Sequence, residues 1–207
     1  MTISLEDLGK KFVNQWLFKG ISLQVRSDHP LAVTGPNGSG KSTLLKIISG
    51  WMLPTKGSVS YLLEDKKIPE DQVYRHIDYV APYVELIEEL TLKEFLEFHF
   101  TQKKLRPGIS VEDFIEGVYL EKEKNKYLRY FSSGMKQRLR LGLGFYSRSP
   151  VLLIDEPTTN LDENGKIWYK KQMEPIIGDK LIIIASNQPE DYFFTDHAIS
   201  VTDYTYV

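Results

Sequence analysis

The chain has 207 residues, of which 42% are hydrophobic and 26% charged, a balance that excludes disordered and fibrous classes and suffices for one sizeable core. A formal net charge of −2 offers no broad attraction for a phosphate backbone, so nucleic acid is not an expected partner. The lack of cysteine excludes disulfides, thiolate metal sites and cysteine nucleophiles.

The first twelve residues contain no apolar stretch of the kind an export signal needs, which makes the cytoplasm the expected location. Nowhere does an uncharged apolar run approach the roughly 20 residues of a membrane-spanning helix, so a membrane role requires a partner chain.

In chain order, the first clear pattern is a short apolar run over 31–34, the glycine-rich segment Gly35, Pro36, Asn37, Gly38, Ser39, Gly40, and a helix-compatible stretch over 41–49. Strand, loop and helix therefore follow one another. Gly35-x4-Gly40-Lys41-Ser42 fits the phosphate-binding P-loop, whose small residues let backbone N–H groups approach phosphate oxygens at a helix N-terminus. Lys41 is expected to reach the β and γ phosphates of ATP, and Ser42 to place its hydroxyl on Mg²⁺. Thr43 completes the expected nucleotide contacts. Glycines at 35, 38 and 40 do not have the spacing of a dinucleotide fold.

Thr91 and Glu94 match a capping box, and Leu92, Phe95, Leu96, Phe98 and Phe100 continue a helical apolar pattern, which predicts a helical insertion. A further helix is predicted over 135–146. Its alternating Leu139, Leu141, Leu143 and Phe145 also fit a strand; the good helix formers from Lys136 to Arg140 favour helix, and glycines 142 and 144 count against it. Lys136, Arg138 and Arg140 read as a solvated helix face rather than a nucleic-acid patch. Two further apolar runs, over 151–154 and 181–185, read as strands buried on both faces of a parallel sheet. The first ends in Asp155 and Glu156. At such a strand end Asp155 is suited to hold Mg²⁺, and Glu156 to orient or deprotonate an attacking water.

Phe131, Ser132, Ser133, Gly134, Met135, Lys136, Gln137 and Arg138 resemble the LSGGQ signature and following QR pair of the ABC ATPase family, and Asn160-Leu161-Asp162 resembles its D-loop. The resemblance covers essentially the whole chain in the right order. It implies a P-loop NTPase (RecA-like) α/β fold: a parallel-sheet core over 1–80 and 147–207, with an N-terminal antiparallel β region and a helical subdomain over 81–146. It further implies a head-to-tail dimer, homomeric or with another ABC ATPase, in which Ser132, Ser133 and Gly134 contact the ATP held by the partner. The same serines also suit a helix N-cap. Phe12, 29 residues before Lys41, stands where the family carries an adenine-stacking aromatic, with Trp16 as a competing stacker.

Two switch positions depart from the family's pattern. Pro82 stands where a glutamine is expected to contact Mg²⁺ and report nucleotide state, and Glu85 is one candidate substitute. Asn187 stands in place of the switch histidine, where it can donate to the γ-phosphate without carrying charge, so slow hydrolysis is expected. The implied function is the ATPase subunit of a transporter whose permease subunits are encoded separately, peripheral on the inner face of the plasma membrane. Its compact length is similar to that of small exporters such as the cytochrome c maturation type. The alternative is a non-transport ABC switch acting on a membrane or cell-envelope partner.

Overall fold

A computed structural model describes residues 1–205. The strands β1 (Thr2–Phe12) and β2 (Gln15–Arg26) form a hairpin with a two-residue turn, Phe12 facing Gln15. After them come β3 (Leu31–Thr34), α1 (Lys41–Ile48), β4 (Lys56–Leu63), the short β5 (Lys66–Lys67) and β6 (Ile77–Val80). The helical segment holds α2 (Leu92–Gln102), α3 (Val111–Gly117) and α4 (Ser133–Tyr146). The chain then returns through β7 (Val151–Asp155), α5 (Glu163–Met173), β8 (Leu181–Ala185) and β9 (Ala198–Ser200).

The strands make two sheets. One is antiparallel in the order β2-β1-β4-β5; the other is parallel in the order β6-β7-β8-β3-β9. Because side chains alternate along a strand, the two faces of the parallel sheet feed different cores. Val151, Leu153, Leu181 and Ile183 face α1 and the antiparallel sheet, whereas Leu152, Ile154, Ile182 and Ile184 face the helical segment and α5. These strands had to be apolar throughout because each face has its own cover, and their register places Asp155 opposite Ala185 at the carboxyl edge.

The expected helix over 135–146 is present, and its two glycines have a packing role. A Cβ on Gly144 would lie 2.6 Å from Leu152 Cδ1, and one on Gly142 would lie 2.3 Å from Val118 Cγ1. Their absent side chains let α4 lie close against the sheet and α3, so the feature that counted against a helix is what seats it. The buried Lys180 ammonium caps the end of α4, donating to the carbonyls of Gly144 at 3.0 Å and Ser147 at 2.6 Å. Burial pulls its pKa down to about 8. The Thr91–Glu94 capping box is formed, and a second box, Ser110 with Asp113, starts α3.

Candidate functional site: a phosphate-binding loop facing an acidic strand end

The loop between β3 and α1 is shaped by its glycines. Gly35, Gly38 and Gly40 have φ of 135°, 83° and 106°, values that side chains rarely tolerate. A Cβ at Gly40 would also lie 2.8 Å from Leu17 Cγ. No side chain caps α1 at Gly40, which leaves its first-turn N–H groups to the hollow in front of the loop. Phe12, Leu17, Asn37, Gly38, Gly40, Lys41, Ser42, Thr43 and Glu156 line that hollow, of about 470 Å³. An adjoining one of about 500 Å³ has Phe12 and Trp16 in its wall, beside Pro36 and Ser39. The β1–β2 hairpin thus brings both candidate stackers to the loop.

Lys41 is buried and turns back over the loop. Its ammonium donates to the Gly35 carbonyl at 2.8 Å and lies 3.6 Å from Glu156 Oε1. Glu156 follows β7 in a left-handed conformation, φ 48°, costing about 1–3 kcal/mol for a residue that is not glycine. Its backbone N–H donates to Ala185 O at 2.8 Å, which fixes the turn. Burial raises its pKa above the usual carboxylate value; Lys41 opposes that rise, and the Asp155 and Asp191 charges add to it. The result is a carboxylate of increased basicity beside the phosphate loop.

Asp155 is fully buried, with Oδ1 bearing no hydrogen bond. Its Oδ2 accepts from Tyr83 at 2.6 Å, and the Tyr79 hydroxyl lies 3.3 Å from the same oxygen and against the Tyr83 hydroxyl, to one of which it donates. Burial and the hydrogen bond to Asp155 push the Tyr83 pKa up to about 12, so this hydroxyl donates throughout the physiological range. A buried carboxylate oxygen without a partner, near a helix N-terminal serine, fits a divalent cation, and Ser42 and Asp155 are the residues placed to hold it. Among the described residues no cluster of three or more His, Cys, Asp or Glu offers an all-protein cage.

The remaining expected residues divide into those brought to the loop and those set at the surface. Asn187 donates to Asn37 Oδ1 at 3.1 Å, which places it against the phosphate loop. Ser132 caps α4 by accepting from Met135 N at 3.2 Å, while Ser132 and Ser133 remain exposed. A Cβ on Gly134 would come within 3.1 Å of the Asn160 carbonyl, so signature and D-loop lie against each other. Asp162 caps α5, accepting from Gly165 N at 2.8 Å. Gln137 is buried and donates to Pro157 O at 2.8 Å, tying the signature helix to the acidic turn.

Tyr79 and Tyr83 escaped the sequence reading. Glu85, the substitute weighed for the missing glutamine, instead lines a groove behind the loop at 81–90, and Tyr83 is the residue that reaches Asp155. Also missed was the group behind Glu156: Ser186 lies 3.5 Å from Glu156 Oε2 and donates to the buried Asp191 at 2.5 Å. Lys136 pairs with Glu88, and Arg140 Nε donates to Val84 O at 2.7 Å, so both are committed to that same loop.

A model of the ABC transporter family matches residues 18–159. Together with the P-loop and the acidic strand end that meet at one hollow, this establishes that the chain belongs to the ABC transporter family. It is 32% identical over 197 residues to the cytochrome c biogenesis ATP-binding export protein CcmA of Rhizobium etli, covering 91% of this chain and 89% of that protein. Identity is also 32%, over 194 residues, to the uncharacterized ABC transporter ATP-binding protein YxlF of Bacillus subtilis, with 91% and 63% covered. The spermidine/putrescine import ATP-binding protein PotA of Mycoplasma mycoides is 29% identical, with 95% and 58% covered. The chain therefore spans less than two thirds of the length of YxlF and PotA. Among solved structures, the dimeric bacterial ABC transporter cassette MJ0796 superposes with a TM-score of 0.80 at 24% identity, covering 96% of this chain and 93% of that one. The likeness shows the P-loop NTPase fold, including the parallel sheet and inserted helices.

Proposed function

We infer that residues 1–207 form a single ATPase domain, with core segments 1–80 and 147–207 and a helical subdomain 81–146. In this reading the domain binds ATP with Mg²⁺, hydrolyses it, and powers a separately encoded membrane transporter. The observation that carries the reading is the meeting of Lys41 and Glu156 in the hollow before the glycine loop, 3.6 Å apart, with the buried Asp155 preceding Glu156 at the strand end. Backbone amides from 35 to 43 and the Lys41 ammonium bind the phosphates, and Phe12 or Trp16 receives the base. Ser42 and Asp155 hold the cation, which neutralises charge developing on the phosphates. Glu156 positions a water and accepts its proton, while Ser186 and Asp191 orient that carboxylate. Asn187 donates a neutral hydrogen bond at the terminal phosphate, and the absence of a histidine charge there makes turnover slow.

The exposed Ser132 and Ser133 support a dimer, homomeric or heteromeric, in which Ser132, Ser133 and Gly134 meet the partner's nucleotide beside Asp162. Among the described residues no helix is long and apolar enough to cross a membrane. An apolar groove of about 340 Å³ between the 81–90 loop and α2, walled by Leu86, Ile87, Phe95 and Phe98, supports docking of a permease subunit. In this reading the protein works at the inner face of the plasma membrane.

The test is phosphate release by the purified chain with Mg²⁺-ATP. Glu156→Gln should lower the rate about 10²–10⁴-fold, the span of general-base catalysis. The raised pKa of Glu156 also predicts that the rate falls as pH drops through a value above the usual carboxylate range, a limb absent from the variant. Equal rates for the two proteins would remove Glu156 from the chemistry.

A further inference from the structure

The two hollows beside the glycine loop share a wall. Phe12, Leu17, Asn37 and Gly38 line both, whereas Lys41, Ser42 and Glu156 line only the first, and Trp16, Thr202 and Thr205 only the second. The groups suited to phosphate and metal therefore belong to one, and the other, of about 500 Å³, is walled by aromatic rings and hydroxyls. Strand pairing brings those hydroxyls there. β9 runs parallel to β3 with Ser200 beside Thr34, so the chain leaving β9 turns over Val201–Tyr204 next to the start of the loop. Val201 is fully buried and anchors that turn, and a Cβ on Gly35 would lie 3.8 Å from its nitrogen.

The two hydroxyls differ in what they can offer a ligand. Thr205 has one proton, and it donates that proton to backbone, its oxygen lying 3.4 Å from both the Leu17 and the Val201 carbonyls. Only lone pairs are left for the hollow. Thr202 is adaptable by contrast, because its hydroxyl and that of Ser200 lie 2.6 Å apart and either can be the donor. A flat base stacked on Phe12 gains nothing specific from the ring, since every base has a π-face. Its edge is different: adenine carries an exocyclic amino donor where guanine carries a carbonyl acceptor. An acceptor-only wall pairs with the first and sets lone pairs against lone pairs with the second.

We propose that Thr205 selects the base of the bound nucleotide. The phosphates lie on the loop, the base stacks on Phe12, and its exocyclic amino group donates to the Thr205 oxygen, so the site favours adenine over guanine nucleotides. The inference rests on the nucleotide reading above and adds to it the residue that chooses among nucleotides. Thr202, able to donate or accept, contributes affinity without choice.

Calorimetric titration of the full chain with the Mg²⁺ complexes of ATP, GTP and purine riboside triphosphate, which lacks the 6-amino group, tests this. The wild type should bind ATP at least about fivefold more tightly than either of the others. Thr205→Val keeps the side chain's shape and removes the acceptor, so the three affinities should fall within about twofold of one another, and Thr205→Ala should do the same. Thr205→Ser, which restores the oxygen, should recover the preference. Because each ratio compares nucleotides on one protein, a substitution that merely loosens the 201–204 turn lowers all three affinities together. An unchanged ratio in Thr205→Val, or equal affinities in a wild-type chain that binds all three, overturns the proposal and leaves the nucleotide reading standing. A wild-type chain that binds none of them overturns both.

Discussion

Two loops flank the acidic strand end, one meeting Glu156 and the other Asp155, and they are built on different principles. Residues 35–42 are shaped by backbone conformation: three glycines at positive φ and an uncapped helix start, arranged so that peptide N–H groups face the hollow. Residues 81–90 are held by side chains: Tyr83 on Asp155, Arg140 on Val84 and Lys136 on Glu88. A backbone-built site restricts which residues can occupy it. A side-chain-built one accommodates a proline at 82 while its neighbour Tyr83 keeps the contact with Asp155. The first loop is therefore rigid in sequence, the second rigid only in geometry.

The sharpest break of this contrast is at Gly40. Alanine there must adopt φ near 106° and place its Cβ 2.8 Å from Leu17 Cγ, which together cost about 2–4 kcal/mol. Chemical denaturation should report the loss, and ATP affinity should fall at least about tenfold. The side-chain-built loop depends in turn on the seating of α4, whose end is capped by Lys180. The folded pKa of this lysine, about 8, lies below its unfolded value of 10.5, so between those pH values the unfolded chain holds the extra proton. Unfolding free energy should climb through that window by up to about 3 kcal/mol from this group. Urea titrations at several pH values should show the climb in the wild type and a flatter curve for Lys180→Met. The smallest effect is expected at Pro82, where glutamine should change stability by no more than about 0.5 kcal/mol, because 81–90 is anchored by its neighbours. A large loss there would show that the loop is backbone-built after all.

The same contrast governs what could be read from the sequence. Glycine spacing, the apolar runs of β3, β7 and β8, and the carboxylates at a strand end are local patterns, and each stands where it was expected. The Thr91–Glu94 box was legible for the same reason. The contact of Tyr83 with Asp155 spans 72 residues and depends on β6 pairing with β7 in a register that sets Val80 beside Ile154. No local pattern encodes it. Ser110–Asp113 was passed over because aspartate, rather than glutamate or glutamine, closes that box. Gly142 and Gly144 blurred the reading of α4, since their purpose lies in Val118 and Leu152, outside the helix itself.

The left-handed backbone at Glu156 sets a limit on engineering. Glycine or asparagine would sit more comfortably at φ 48°, so a library ranked only by heat tolerance would be drawn to replace the residue proposed to accept the water's proton. Its most durable members would then be enriched in proteins that still hold nucleotide and no longer turn it over.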